Sequence, residues 1–160
     1  MKSETVNKKI CLTPGMPAIT FAYAKNIDKP SNHHLHINKF FEIYIYIGGD
    51  ADYIAGDKYF SLNHGDIIVI NQYEPHNVVL KSEGLYERFY ILVPTESFDN
   101  FSYNPFKNIN GKLISLPEKR RKKAIDILYE IKNSFVKEPG GRTSFKACGL
   151  ILEFLAEISG

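Results

Sequence analysis

The chain has 160 residues, 44% of them hydrophobic and 24% charged, and 20 Lys and Arg against 18 Asp and Glu leave a formal charge of +2. This length supports one domain with a real core, the apolar content excludes a disordered chain, and so small a charge excludes a broad nucleic-acid footprint. Cys11 and Cys148 are far apart without metal-type spacing, Pro14 and Pro17 interrupt any signal-length run, and no segment approaches a membrane span, so the expectation is a cytoplasmic protein with reduced thiols and no membrane partner.

Residues 1–17 are polar and then broken by proline, and read as an extended or mobile arm. Ala18 to Ala24 alternates Ile19, Phe21 and Tyr23 with small residues, a strand pattern. A turn through Asp28, Pro30 and Asn32 leads into a long alternating stretch from His34 to Ile47, which Gly48-Gly49-Asp50 closes as a hairpin turn. Short strands follow at Tyr53–Ala55, Lys58–Leu62, Ile67–Ile70, His76–Leu80 and Tyr86–Val93. Turn signals at Gly56-Asp57, Gly65-Asp66, Glu74-Pro75 and Ser82-Glu83-Gly84 separate them, so a closed or sandwiched antiparallel sheet is expected.

The period then changes. Ser115-Leu-Pro117-Glu118 has the form of a helix N-terminus, and Ala124, Ile127, Leu128, Ile131 and Phe135 recur at helical spacing until Pro139-Gly140-Gly141. The basic run Lys119 to Lys123 in this helix reads as a solvated face. A second helix is expected from Ser144, with Cys148, Ile151, Leu152, Leu155 and Ile158 on one stripe that Leu150 and Phe154 broaden. Such a stripe exceeds what one contact needs, which points to a homodimer.

On a regular strand His34, His36, Asn38, Phe40, Glu42, Tyr44 and Tyr46 share one face, and Ile37, Phe41, Ile43, Ile45 and Ile47 the other. Tyrosine supplies apolar wall and a hydroxyl handle, so this polar face fits an enclosed pocket with the isoleucines turned toward helices or another sheet. Arg88 shares parity with Tyr86, Tyr90 and Leu92. Facing inward, it needs a carboxylate such as Glu42 or an anionic ligand; facing outward, it makes a surface salt bridge. His76 is either a pocket residue or a turn histidine. No nucleophile motif or phosphate loop is present.

Two segments, His34 to Gly48 with its His36-x-Asn38-x-x-x-Glu42 phrase and Leu62 to His76 with Gly65-Asp66, an apolar strand and Pro75-His76, resemble the paired motifs of cupin barrels. The likeness is specifically to the sensor domains of AraC-type transcription regulators. The resemblance implies a mainly β fold: a cupin-like antiparallel β-barrel, or jelly roll, over 18–112, then a two-helix dimerisation region over 113–160. It further implies a small-molecule effector held by His36, Asn38, Glu42, Tyr44, Tyr46, His76, Arg88 and Tyr90, and a homodimer through Cys148, Ile151, Leu152, Leu155 and Ile158. DNA would be bound only by helix-turn-helix motifs beyond residue 160, and neither catalysis nor a cofactor is expected.

Metal-binding cupins carry two His and a Glu on the first motif and a third His on the second, a set suited to Zn, Fe, Ni or Mn. Here Asn38 occupies one of those ligand positions, and a carboxamide is a poor ligand for such metals, so no functional metal is expected. The fallback set is His34, His36, Glu42 and His76. The alternative of a different class is a metal-dependent cupin enzyme of the dioxygenase or sugar-isomerase type, which metal content would reveal.

Overall fold

A computed structural model describes residues 3–30, 34–107 and 113–160. Period-two alternation gives strands β1 (Glu4–Ile10), β2 (Ile19–Asp28), β3 (Phe41–Gly48), β4 (Ala51–Ala55), β5 (Lys58–Ser61), β6 (Ile67–Ile70), β7 (His76–Leu80), β8 (Gly84–Val93) and β9 (Leu113–Ile114). Helical spacing gives α1 (Glu118–Lys137) and α2 (Gly141–Ser159). The strands form two antiparallel sheets, a large one in the order β1-β2-β8-β3-β6-β9 and a small one in the order β5-β4-β7. The sheets do not join into one closed cylinder; the arrangement is an open jelly roll followed by two helices. No described helix is long and apolar enough to cross a membrane.

Both faces of the large sheet are covered, and strand parity decides which side chains go where. Phe21 and Tyr23 of β2, Ile43, Ile45 and Ile47 of β3, and Phe89, Ile91 and Val93 of β8 pack with Leu128 and Ile131 of α1 and Ile151, Phe154 and Leu155 of α2. The opposite parity, with Tyr44, Tyr46, Ile68, Ile70 and Tyr86, packs against Ala51, Tyr53, Ala55 and Leu80 around the small sheet. The isoleucines of β3 therefore face helices and its tyrosines face the second sheet, as the alternation implied.

Several expectations need correction. The segment read as an arm is strand β1 over Glu4–Ile10, in register with β2 from Glu4 opposite Lys25 to Ile10 opposite Ile19. It is fixed because Val6 and Ile10 are buried in the helix-side core, each worth about 1.5–3 kcal/mol. The stretch from His34 is not one strand, since β3 begins only at Phe41. Asn38 Oδ1 accepts the Phe40 N–H at 3.0 Å, a local turn that interrupts the extended run. Gly48-Gly49-Asp50 makes no hairpin: it carries the chain from the large sheet to the small one. Gly49 has φ +133°, and a Cβ there would lie 3.0 Å from the Leu85 carbonyl oxygen. The turn expected over 28–32 passes outside the described residues after Pro30, as does the barrel boundary at 112.

At the helices, Ser115 does not cap α1. Its hydroxyl donates to Asp66 Oδ1 at 2.8 Å, Asp66 Oδ2 accepts the Asn63 N–H at 2.8 Å, and the helix starts after Pro117 without a side-chain cap. The Gly-Asp turn thus anchors the entry to α1. Helix α2 begins at Gly141, ahead of Ser144. In the stripe assigned to a dimer, Ile151, Leu155 and Ile158 are buried in the chain's own core, while Cys148 and Leu152 are half-buried. The breadth of that stripe is used by the sheet and α1, so those three residues have no free surface to offer a partner. In the basic run, Lys123 pairs with Glu153 and Glu157, and Lys122 with Asp126.

One buried charge ties the large sheet to α1. Glu87 of β8, on the helix side, accepts hydrogen bonds from the Tyr23 hydroxyl at 2.8 Å and from the Tyr129 hydroxyl of α1, and pairs with Lys25 at 3.1 Å. Burial raises its pKa, but these three donors outweigh burial and hold it below its ordinary 4.5. A depressed folded-state pKa gives stability that is complete above the unfolded value and lost as pH falls through the folded one. Glu87→Gln is expected to lower stability at neutral pH by about 1–3 kcal/mol and to flatten its decline below about pH 4.5. Urea denaturation across pH reads both effects; identical acid slopes in the two proteins would refute the assignment.

Candidate functional site

Between the two sheets lies a cavity of about 430 Å³, within the roughly 300–1,000 Å³ range of small-molecule sites. β3 contributes Glu42 and Tyr44, and β8 contributes Tyr86, Arg88, Tyr90 and Leu92, all of one parity. β4 and β7 supply Tyr53, Asn77 and Val78 from the opposite sheet, while His36 and Asn38 reach in from the segment before β3.

Six of the residues expected at a ligand site therefore line one cavity: His36, Asn38, Glu42, Tyr44, Arg88 and Tyr90. Two do not. The Tyr46 hydroxyl donates to the Gly49 carbonyl at 2.6 Å and braces the crossing between the sheets. His76 is buried behind Glu42, its ring 4.2 Å from that of His36 and parallel to that of Tyr53. Sequence reasoning gave Tyr86 and Leu92 only as sharing parity with Arg88, and missed Tyr53, Asn77 and Val78, since nothing local states which strands face each other across the cavity. The pairing of β4 with β7, Tyr53 opposite Val78 and Ile54 opposite Asn77, is what brings them there.

Glu42 is the best-held polar group. Asn38 Nδ2 donates to its Oε2 at 2.9 Å, and His76 Nε2 lies 3.2 Å from the same oxygen. His76 Nδ1 stands 2.7 Å from the Glu74 carbonyl oxygen. Both ring nitrogens thus face oxygen acceptors. The backbones of His36 and His76 exchange two hydrogen bonds of 3.1 and 3.0 Å, which fixes the loop bearing His36 against β7. Burial and the neighbouring His76 lower the His36 pKa against the pull of Glu42.

Donor atoms of His36, Glu42 and His76 lie within 4.8 Å of one another. His34 is exposed and does not join them. Two imidazoles and a carboxylate with open positions fit a first-row divalent metal, and Asn38 would then orient the carboxylate. Sequence spacing placed Asn38 among the ligands; its amide instead holds Glu42.

The phenols are kept neutral. Burial, then the neighbouring Tyr86, raises Tyr44 well above the ordinary 10.0; burial raises Tyr86 against the pull of Arg88 and of its hydrogen bond with Tyr44; and burial followed by Glu42 raises Tyr53. Tyr44 and Tyr86 hydroxyls are 2.5 Å apart. Arg88 faces inward, with its guanidinium 4.4 Å from the centre of the Tyr86 ring. It pairs neither with Glu42 nor with a surface carboxylate among the described residues, so both ion-pair expectations fail.

Residues 19–130 match the family model described as the AraC-like ligand binding domain. No curated protein matches the chain. Solved structures similar to it include a cupin-superfamily protein from Desulfitobacterium hafniense, 10% identical over 58% of this chain and 78% of its own, with a TM-score of 0.44. A protein from Photorhabdus luminescens is 22% identical over 59% of this chain and 79% of its own, TM-score 0.46. A cupin 2 conserved barrel domain protein from Salinispora arenicola is 15% identical over 61% and 82%, TM-score 0.45.

Proposed function

This chain belongs to the AraC-like ligand binding domain family, and we propose that it is the small-molecule sensing and dimerisation module of a transcription regulator. The observation that carries this reading is the cavity of about 430 Å³ between the sheets, walled by tyrosines and bearing a few convergent polar groups. Strand β8 offers a route outward. Tyr86, Arg88 and Tyr90 face the cavity while Glu87 between them grips Tyr129 of α1, so a ligand that shifts β8 shifts the helices. DNA contact is assigned to a separate helix-turn-helix unit. Filling the cavity tests the reading: at least one compound of a metabolite library should raise the melting temperature of the chain, and Val78→Trp should abolish that shift while leaving the circular dichroism spectrum unchanged. A ligand at 100 times its Kd stabilises by about 2.7 kcal/mol, well within reach of such a screen. Binding untouched by Val78→Trp would overturn it.

A metal-dependent reading is favoured by one observation, the convergence of His36, Glu42 and His76. Elemental analysis of chain purified without chelators decides: one equivalent of Fe, Zn, Mn or Ni, lost in His76→Ala, makes the site a metal centre. The sensing reading expects none.

Dimerisation is proposed through the side of α2 that carries Phe145, which is 85% exposed, with the half-buried Cys148 and Leu152 following it at helical spacing. A second copy is the natural cover for a phenyl ring left in water. Sedimentation should find the unmodified chain dimeric at tens of micromolar and Phe145→Asp monomeric and folded, whereas Ile151→Asp, which puts a charge into the core, should unfold. A monomeric parent chain, or a dimeric Phe145→Asp, would remove this contact.

A further inference from the structure

We infer that the ligand of the cavity is a small organic carboxylate carrying a ring, its anionic end held between Arg88 and Asn77. This rests on the sensing reading above and names the chemistry of what is sensed. Two buried side-chain atoms among the described residues lack a hydrogen-bond partner, Arg88 Nη1 and Asn77 Nδ2. Both are N–H donors, and both belong to residues lining this cavity. Unpaired buried donors are rare in folded proteins and destabilise them. Arg88 comes from β8 of the large sheet and Asn77, only 7% exposed, from β7 of the small one. A single ligand that satisfied both would sit between the sheets and bring acceptor oxygens.

Charge narrows the class. The guanidinium cannot lose its proton, and no described carboxylate pairs with it. Glu42 faces the same space, but its Oε2 is engaged by Asn38 and His76. A sugar hydroxyl would meet a donor and leave the charge unanswered. A dianionic phosphate would meet a single guanidinium and about twice the repulsion from Glu42 that a monoanion meets. A carboxylate supplies one negative charge and two acceptor oxygens in the geometry an Arg fork matches. The body of the ligand is indicated by the walls: the rings of Tyr44 and Tyr53 lie 4.6 Å apart, and Tyr86 is backed by the guanidinium. Burial keeps these phenols protonated, so none adds a competing negative charge.

Calorimetric titration of the purified chain tests this with paired probes of one shape: 4-hydroxybenzoate against 4-hydroxybenzamide, and phenylacetate against phenylacetamide, with phenyl phosphate and arabinose alongside. The acids should bind at least about 10-fold more tightly than their amides, because a hydrogen bond to a charged group is worth that much. Arg88→Met should erase the preference, and without ligand it should melt no lower than the parent, since it removes a buried donor, Nη1, that has no partner; a merely structural arginine would lower the midpoint. Asn77→Ala should reduce acid binding by a smaller factor and carries the test if Arg88→Met does not fold. Acids and amides binding equally, with Val78→Trp blocking both, would overturn the carboxylate and leave the sensing reading intact. Preference for arabinose does the same. Tighter binding of phenyl phosphate replaces the carboxylate by a phosphate. No binding of any probe up to about 10 mM sinks the carboxylate inference, while the library screen still decides the sensing reading.

Discussion

The constraint on which the rest of this structure depends is that the large sheet is buried on both faces. A strand has only two sides, so along β3 and the buried stretches of β2 and β8 each residue faces either the helices or the second sheet. On β3 the result is isoleucine toward α1 and α2 and Glu42, Tyr44 and Tyr46 toward the small sheet. A register slip of one residue would bury the carboxylate among the helices and leave the tyrosines without a cavity, so the pairings with β6 and β8 define core and site together.

That same alternation puts two charged residues of β8 back to back. Glu87 is satisfied on the helix side by Tyr23, Tyr129 and Lys25. Arg88, one residue on, faces the cavity with Nη1 unpaired. The contrast separates a charge satisfied within the fold from one whose donor faces the cavity unpaired. A fully satisfied network holds the sheet to α1, while an unsatisfied buried donor destabilises the chain unless an acceptor reaches it.

The corner that brings His36, Glu42 and His76 together has its own logic. A strand running unbroken from His34 would have carried His36 along the sheet and away from β7. The Asn38 turn instead folds the segment back, and the paired backbone bonds between His36 and His76 hold it there. Asn38 therefore has two tasks: its Oδ1 makes the turn and its Nδ2 holds Glu42. The amide that weakens the ligand phrase in the sequence is, in the folded chain, what positions the carboxylate.

Alternation and turn residues, which are local properties, were enough to mark most strands, the switch to helices after residue 115, and the sorting of the β3 side chains into a polar and an apolar face. The paired motifs likewise carried the family, which the match over residues 19–130 shows. What lay beyond reach was every relation between segments distant in sequence. Val6 and Ile10 looked like part of a loose arm because their partners on the core lie far along the chain; Gly48-Gly49-Asp50 looked like a hairpin because a glycine turn does not state which sheet receives the next strand. Ile151, Leu155 and Ile158 looked available to a second copy because an apolar stripe does not say which surface covers it. Tyr53 and Asn77 entered the site, and Arg88 was left without a carboxylate, only when two sheets closed on each other. Periodicity is written residue by residue, whereas burial and pairing depend on what the rest of the chain brings alongside.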